Sequence, residues 1–216
     1  MSERDTTVTR GLREIAFDEV FDAQATFRVV LEAMSRPGEL FRLPGVAYER
    51  TPDGLHPHAT SVVWSICDGF VTLFVDGPQE WQDYLEVNTG VVPADLAEAD
   101  IVVARGASSG RTLRNACRGS LEFPEEGATV VVLVHLLADS LAGAGTGNGY
   151  GRPAALTLRG PGIRMLNEVR IVGLDPDFVP AITEASAHYP IGVDVILVDE
   201  AGRVVAIPRS CNVEAS

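Results

Sequence analysis

The chain has 216 residues, of which 46% are hydrophobic and 22% charged, which suits one globular core and excludes a collagen-like or wholly disordered chain. Its 30 acids against 17 bases give a net charge of −13, which argues against a nonspecific nucleic-acid binder that faces phosphates with cations. Every base is arginine, so there is no lysine for a pyridoxal phosphate Schiff base or a Walker motif, and any phosphate must be held by arginine, backbone N–H groups or a metal.

Residues 1–17 read as a flexible polar arm, and 18–216 as a single α/β domain. Asp18 is placed to cap a first helix whose apolar stripe is Val20, Ala23, Phe27, Val30, Leu31 and Met34, stopped by Pro37-Gly38. A short strand is predicted over Gly38–Leu43, then a turn-rich loop over 51–57 and a buried segment over Ala59–Cys67, read as a helix starting near Thr60 or Ser61 in preference to a strand. Strands follow at Val71–Val75 and Asp100–Ala104, and helices at Gln79–Val87 and from Ser108 or Ser109 to Arg118. Thr129–Leu137 is a continuous β-branched run, the pattern of one strand buried on both faces, with His135 as a core histidine inside it. The glycine tract Gly143–Gly151 joins two predicted strands rather than a strand and a helix, so it reads as a hairpin tip and not as a phosphate loop. Strands over Ala154–Leu158 and Ile163–Val172, a helix over Asp177–His188, and a hairpin of Val193–Val198 with Arg203–Ile207 complete the chain. The result is a mixed β-sheet flanked by helices.

No self-contained catalytic motif is present. Cys67, Cys117 and Cys211 are odd in number and form no CxxC pair, as expected of reduced thiols. His56-Pro57-His58, with Asp53 nearby, puts two imidazoles at i and i+2 of an extended segment, but a third ligand is missing and no metal is expected. His188 stands at a helix end, where its cationic form suits the dipole. The arginines at turns are the most suggestive group. Arg36 precedes Pro37-Gly38, Arg159 precedes Gly160-Pro161-Gly162, and Arg209 follows Pro208. Three guanidinium groups brought together, with backbone N–H groups freed by Gly160 and Gly162, would hold a polyphosphate or phosphonate. The longest apolar run, Ala128–Leu137, is about half of the roughly 20 residues a membrane helix needs. The first twenty residues carry eight charges and no apolar stretch, unlike a secretory signal.

Five stretches resemble a known family. Asp22–Gly38 is similar to the opening helix and turn of PhnH proteins, Ala59–Asp68 to their next helix, Leu156–Ile163 to a strand and turn, and Pro190–Asp199 with Val205–Ser210 to their C-terminal hairpin. The blocks run in family order over most of the chain. The resemblance implies a cytoplasmic subunit of the bacterial carbon–phosphorus lyase system. It also implies a fold similar to that of pyridoxal-phosphate-dependent transferases without the cofactor, and a homodimer when isolated. The function implied is support for transferring an alkylphosphonate to the ribose C1 of MgATP with release of adenine, alongside other lyase subunits and without activity alone. No catalytic residue is carried over, so Arg159, Gly160, Gly162, Arg36 and Arg209 stand as anion-binding candidates on chemistry alone. The rival expectation is a free-standing anion-binding module or small-molecule enzyme built on the same arginines.

Overall fold

Alternation at the centre of the chain explains the architecture. Val130, Val132 and Val134 face one apolar core while Val131 and Leu133 face another, all of them buried, because successive strand residues point to opposite sides. The computed structural model describes residues 15–45, 47–48, 51–139 and 153–215. Residues 1–14 of the predicted arm and the glycine tract Gly143–Gly151 lie outside them. The last arm residues are built into the fold: β1 (Ile15–Ala16) pairs with β3 (Ala47–Tyr48), and Phe17 meets Trp64 edge-on at 5.1 Å between ring centroids.

The main sheet has seven strands. Its order is β2 (Phe41–Arg42), β12 (Arg203–Ile207), β11 (Asp194–Asp199), β7 (Thr129–Val134), β6 (Ile101–Arg105), β4 (Thr72–Asp76) and β5 (Val92–Pro93). The run from β11 to β5 is parallel, and β12 pairs antiparallel with both β11 and β2. A second, antiparallel sheet runs β13 (Asn212–Ala215), β9 (Ala154–Arg159), β10 (Asn167–Val172), β8 (Leu136–Ala138). One face of the main sheet packs against α1 (Phe21–Ser35), α2 (Pro57–Ile66) and α3 (Gln79–Thr89), through residues such as Val30, Val62 and Leu85. The other face buries α4 (Ser109–Asn115), α5 (Phe178–Ala185) and the smaller sheet, through Leu113, Phe178, Leu158 and Ile171. The expected α/β class with a mixed, helix-flanked sheet is therefore present.

Several expectations are corrected. The run 129–137 is two strands in two sheets, not one. At His135 the chain leaves β7 and crosses to β8, and Asp199 fixes the crossing. Its fully buried carboxylate accepts hydrogen bonds from the N–H groups of Leu137, Ala201 and Arg203 and from the Arg203 guanidinium. The long strands β7 and β11 lie in the middle of the main sheet, and its edges are the two-residue strands β2 and β5. Residues 163–166 are irregular, with a bend at 164–165, and β10 begins only at Asn167.

Helix α1 starts as expected. The Asp18 carboxylate accepts from the Val20 and Phe21 N–H groups, and Asp22 accepts from the Asp18 N–H in return. Its buried seam, however, is Thr26, Val30 and Ala33, while Val20, Phe27 and Leu31 face outward. Small residues at the i, i+4, i+7 positions let the helix approach α2 and β12 closely, and they displace the larger apolar residues to the surface.

Candidate functional site

The connections of β4 and β6 open a crevice. Beyond Asp76, the chain turns through Gly77-Pro78 into α3, on one face of the main sheet. Beyond Arg105 it turns through a 3₁₀ segment (Gly106–Ser108) into α4, on the other face. Neighbouring parallel strands whose helices leave to opposite sides form a switch point, and ligands of open α/β sheets bind beyond the carboxyl ends of strands at such points. A cavity of about 600 Å³ occupies this place, within the range of small-molecule sites. A hollow of about 490 Å³ beside Trp64 and Cys67 lies near the amino end of β4 and has no comparable topology behind it.

Close backbone contacts shape the cavity walls. The Trp81 indole N–H donates to the Asp53 carbonyl at 3.0 Å, and its ring lies where a Cβ on Gly77 would come within 2.8 Å. A Cβ on Gly106 would stand 2.0 Å from the Gly173 carbonyl oxygen, so only glycine lets the end of β6 touch the loop after β10. Asp175 clamps that loop down. Its N–H donates to the Gly106 carbonyl, and its carboxylate accepts from the N–H groups of Gly110 and Asp177.

His56 and His58 are not in an extended pair. His56 is the N-cap of α2, with Pro57 at the first helical position, and the helical turn sends the two imidazoles to different surroundings. The His56 Nδ1 accepts the Ala59 N–H at 3.3 Å, which leaves the ring proton on Nε2. Burial pushes the His56 pKa down to about 4; Glu200 opposes this, His58 adds to it and Asp199 opposes it. The ring is therefore neutral at pH 7, and its buried Nε2 lacks a hydrogen-bond partner: the Val198 backbone attracts it without reaching hydrogen-bond geometry. His58 packs over Gly202 in the β11–β12 turn, and its pKa is likewise lowered by burial, against the pull of Asp199. His135, expected in the core, is half-buried at the sheet crossing and lines the cavity, with its Nδ1 3.2 Å from a Glu200 carboxylate oxygen.

Asp76 ties the two sides of the crevice together. It accepts from the Thr112 hydroxyl at 2.8 Å and from Arg111 at 2.9 Å. Burial alone would raise its pKa, but hydrogen bonds from Ser108, Thr112 and Arg111 hold it below the ordinary value. Arg105 is the only base lining the cavity, and its guanidinium has no ion-pair or hydrogen-bond partner among the described residues. Also among the described residues, no group of three or more His, Cys, Asp or Glu side chains is arranged to hold a metal.

The turns that carry the sequence candidates do come together. A Cβ on Gly162 would lie 2.5 Å from the Ser35 carbonyl oxygen, and one on Gly160 would lie 3.1 Å from the Cys211 Cα, so three backbone turns pack on one another. Their guanidinium groups diverge. Arg209 points inward to the Asp194 carboxylate and the carbonyls of Pro124 and Gly127. Arg36 pairs with Glu32 and Glu39 and lies over the Phe41 ring, 4.6 Å from its centroid. Arg159 is exposed and reaches the Met165 carbonyl at 3.5 Å. Of the thiols, Cys67 is pushed up to about 12, chiefly by burial and then by Asp68 and Asp100, and burial also raises Cys211, so neither is a ready nucleophile. His188 is exposed beyond the end of α5.

The sequence pointed to none of Arg105, Trp81, Asp175 or Glu200. The available signal was Arg105-Gly106 directly after a strand, the position of a switch-point loop, but the strand order that makes it one is not local information.

Comparison with known proteins gives a family match described as bacterial phosphonate metabolism protein (PhnH), over residues 16–214. A putative C-P lyase subunit protein, HtxG, from Stutzerimonas stutzeri is 31% identical over 191 residues, covering 88% of this chain and 85% of that protein. The alpha-D-ribose 1-methylphosphonate 5-triphosphate synthase subunit PhnH of Rhizobium meliloti (strain 1021) is 25% identical over 201 residues, covering 91% and 92%.

Proposed function

Because the chain belongs to the bacterial phosphonate metabolism (PhnH) family, we propose that it is a carbon–phosphorus lyase subunit that supports ribosyl transfer to an alkylphosphonate. In that reaction a phosphonate oxygen bonds to the ribose C1 of MgATP, the bond from C1 to the adenine N9 breaks, and adenine leaves with a proton. The observation that carries this reading is the family match over nearly the whole chain, together with near-full-length alignment to a relative named as a subunit of that synthase. That the relative is named as one subunit of a synthase favours a part played in an assembly with other lyase subunits over chemistry by this chain alone.

The same reading takes the protein as cytoplasmic, free of pyridoxal phosphate, and homodimeric when isolated. The absence of lysine supports the second point, since no internal imine can form. The outward apolar residues of α1 suit association. Likeness to the pyridoxal-phosphate-dependent transferase fold belongs to this proposal too. Among the described residues no helix is long and apolar enough to cross a membrane.

The test is adenine release from MgATP and methylphosphonate. Activity is expected only when this chain is combined with its partner subunits, and omission of the chain should abolish it. A second reading, a free-standing anion-binding enzyme, is favoured by the unpaired Arg105 in the cavity, and adenine release by the purified chain alone would establish it.

A further inference from the structure

We propose that two loops at the end of the main sheet opposite the crevice form the surface on which a second copy of this chain docks, the basic loop of each copy lying on the acidic loop of the other. The acidic loop, residues 119–126, precedes β7 and presents Leu121 and Phe123 together with Glu122, Glu125 and Glu126, all exposed. The basic loop, residues 159–166, joins β9 to β10 and presents Met165 and Leu166 together with Arg159 and Arg164, also exposed. Met165 is 80% exposed and Leu121 76%, so neither is covered by its own chain. The segment after β12 makes the loops neighbours: Arg209 donates to the carbonyls of Pro124 and Gly127, and Cys211, two residues on, packs against Gly160. Both loops are held in shape. The Ser120 N–H donates to the Phe123 carbonyl at 3.1 Å and the Phe123 N–H to the Ser120 hydroxyl oxygen at 3.0 Å, while the Ile163 N–H donates to the Gly160 carbonyl at 3.2 Å. A surface fixed in advance loses little conformational freedom on docking.

Charge identifies the occupant. Two copies of a chain of net charge −13 repel each other unless their contact sets cations against acids. Here the two signs are sorted into separate loops. Among the described residues no ion pair joins Arg159 or Arg164 to an acid, or Glu122, Glu125 or Glu126 to a base. A two-fold axis passing between the loops lays basic on acidic twice in each dimer, with the apolar residues of both loops enclosed between them. Such self-complementarity is what an isologous contact requires. A partner of one charge sign would match one loop and be repelled by the other. In this contact the charges set register and specificity, and the apolar side chains supply most of the affinity. The inference deepens the homodimer of the function proposed above by naming its surface, and it rests on that reading. The rival surface is the outward face of α1, where Val20, Phe27 and Leu31 are exposed without a sorted pair of charged patches beside them.

The experiment is a charge swap on the full-length chain, read by sedimentation over a dilution series. One variant carries Arg159→Glu with Arg164→Glu, the other Glu122→Arg with Glu125→Arg. Each alone should raise the dimer dissociation constant by about a hundredfold or more, because like charges then face each other. Mixed in equal amounts, the two should form a heterodimer, since every acidic loop of one meets a basic loop of the other. All four substitutions in one chain should restore the homodimer. Met165→Ser should weaken the wild-type dimer by about tenfold, and circular dichroism on each variant separates lost association from lost folding. A chain that is monomeric at every concentration, a dimer unmoved by either reversal, or reversal variants that fail to associate when mixed overturns the inference. So does a dimer that survives both reversals and dissociates in Leu31→Ser, which places the contact on α1. If the chain is monomeric while adenine release by the assembled subunits still requires it, this inference falls and the proposed function stands. A charge-swapped heterodimer in a chain that adenine release does not require upholds the surface and removes the function.

Discussion

Two regions of the molecule use arginine in opposite ways. Where the turns at 36–38, 160–162 and 209–211 pack together, backbone contacts are so close that Arg209 serves the fold, joining Asp194 to the carbonyls of Pro124 and Gly127. At the crevice beyond β4 and β6, Arg105 stands beside carboxylates and joins none of them. The sequence shows both as an arginine next to a glycine or proline turn. The difference lies in what the side chain meets: Arg209 runs inward onto a carboxylate and two carbonyls, whereas Arg105, at the open end of parallel strands, is left to solvent or ligand.

The largest effect expected belongs to a purely structural charge. Asp199 is fully buried and accepts four hydrogen bonds that hold β8 and the β11–β12 turn together. Asp199→Ala strands those donors and the Arg203 charge, and should cost about 3–5 kcal/mol in urea unfolding. Asp199→Asn, which keeps an acceptor for Ala201 and Arg203, should cost less. Equal losses for the two would mean that the side chain's volume rather than its acceptors matters.

The second effect is the pH response of His56, on the wall of the crevice. Its pKa is about 4 in the fold, and an unfolded histidine titrates near 6.5. Between these values the unfolded chain binds the proton and the folded one does not, so stability is full above pH 6.5 and falls as the pH drops towards 4, by on the order of 3 kcal/mol. His58, also lowered, acts with the same sign. His56→Asn keeps an N-cap acceptor for α2 and should flatten the profile of unfolding free energy between pH 7 and pH 4.5. An unchanged slope would assign the response to other groups.

Arg209 comes third. Its pair with Asp194 is largely buried, the side chains being 15% and 18% exposed. Arg209→Ala should cost about 2–3 kcal/mol, part of it from the stranded carboxylate and carbonyls. A loss of adenine release without a loss of stability would erase the contrast between the two regions.

How much of this was legible in the sequence follows from the range of each signal. The parallel core, the C-terminal hairpin and the cap at Asp18 are written in local alternation, in Asp199-Glu-Ala-Gly202 and in an aspartate before an apolar stripe. The break at His135 was not legible, because residues 129–137 keep an apolar pattern across it and the determinant, Asp199, lies some sixty residues away. The outward turn of Val20, Phe27 and Leu31 was hidden because helical periodicity reports a stripe but not which stripe meets a close neighbour. Arg105 went unnoticed for the same reason. Its meaning depends on β4 lying between β5 and β6 and on helices leaving to opposite faces, and no segment of the chain carries that information.

The smallest effect separates the two regions most sharply. Arg159 is exposed, and its contact with the Met165 carbonyl, at 3.5 Å, sits at the limit of a hydrogen bond. Arg159→Ala should therefore change stability by less than about 0.5 kcal/mol, as surface substitutions usually do. Of the other two arginines at these packed turns, Arg209 is turned inward and Arg36 is engaged by Glu32 and Glu39, so neither converges with Arg159 on an anion. Adenine release by the assembled subunits should accordingly fall no more than about twofold in Arg159→Ala. Measured beside Arg105→Ala under the same conditions, the pair ranks the regions directly. A tenfold or larger loss in Arg159→Ala, with Arg105→Ala unimpaired, would move the functional site from the strand ends to the packed turns.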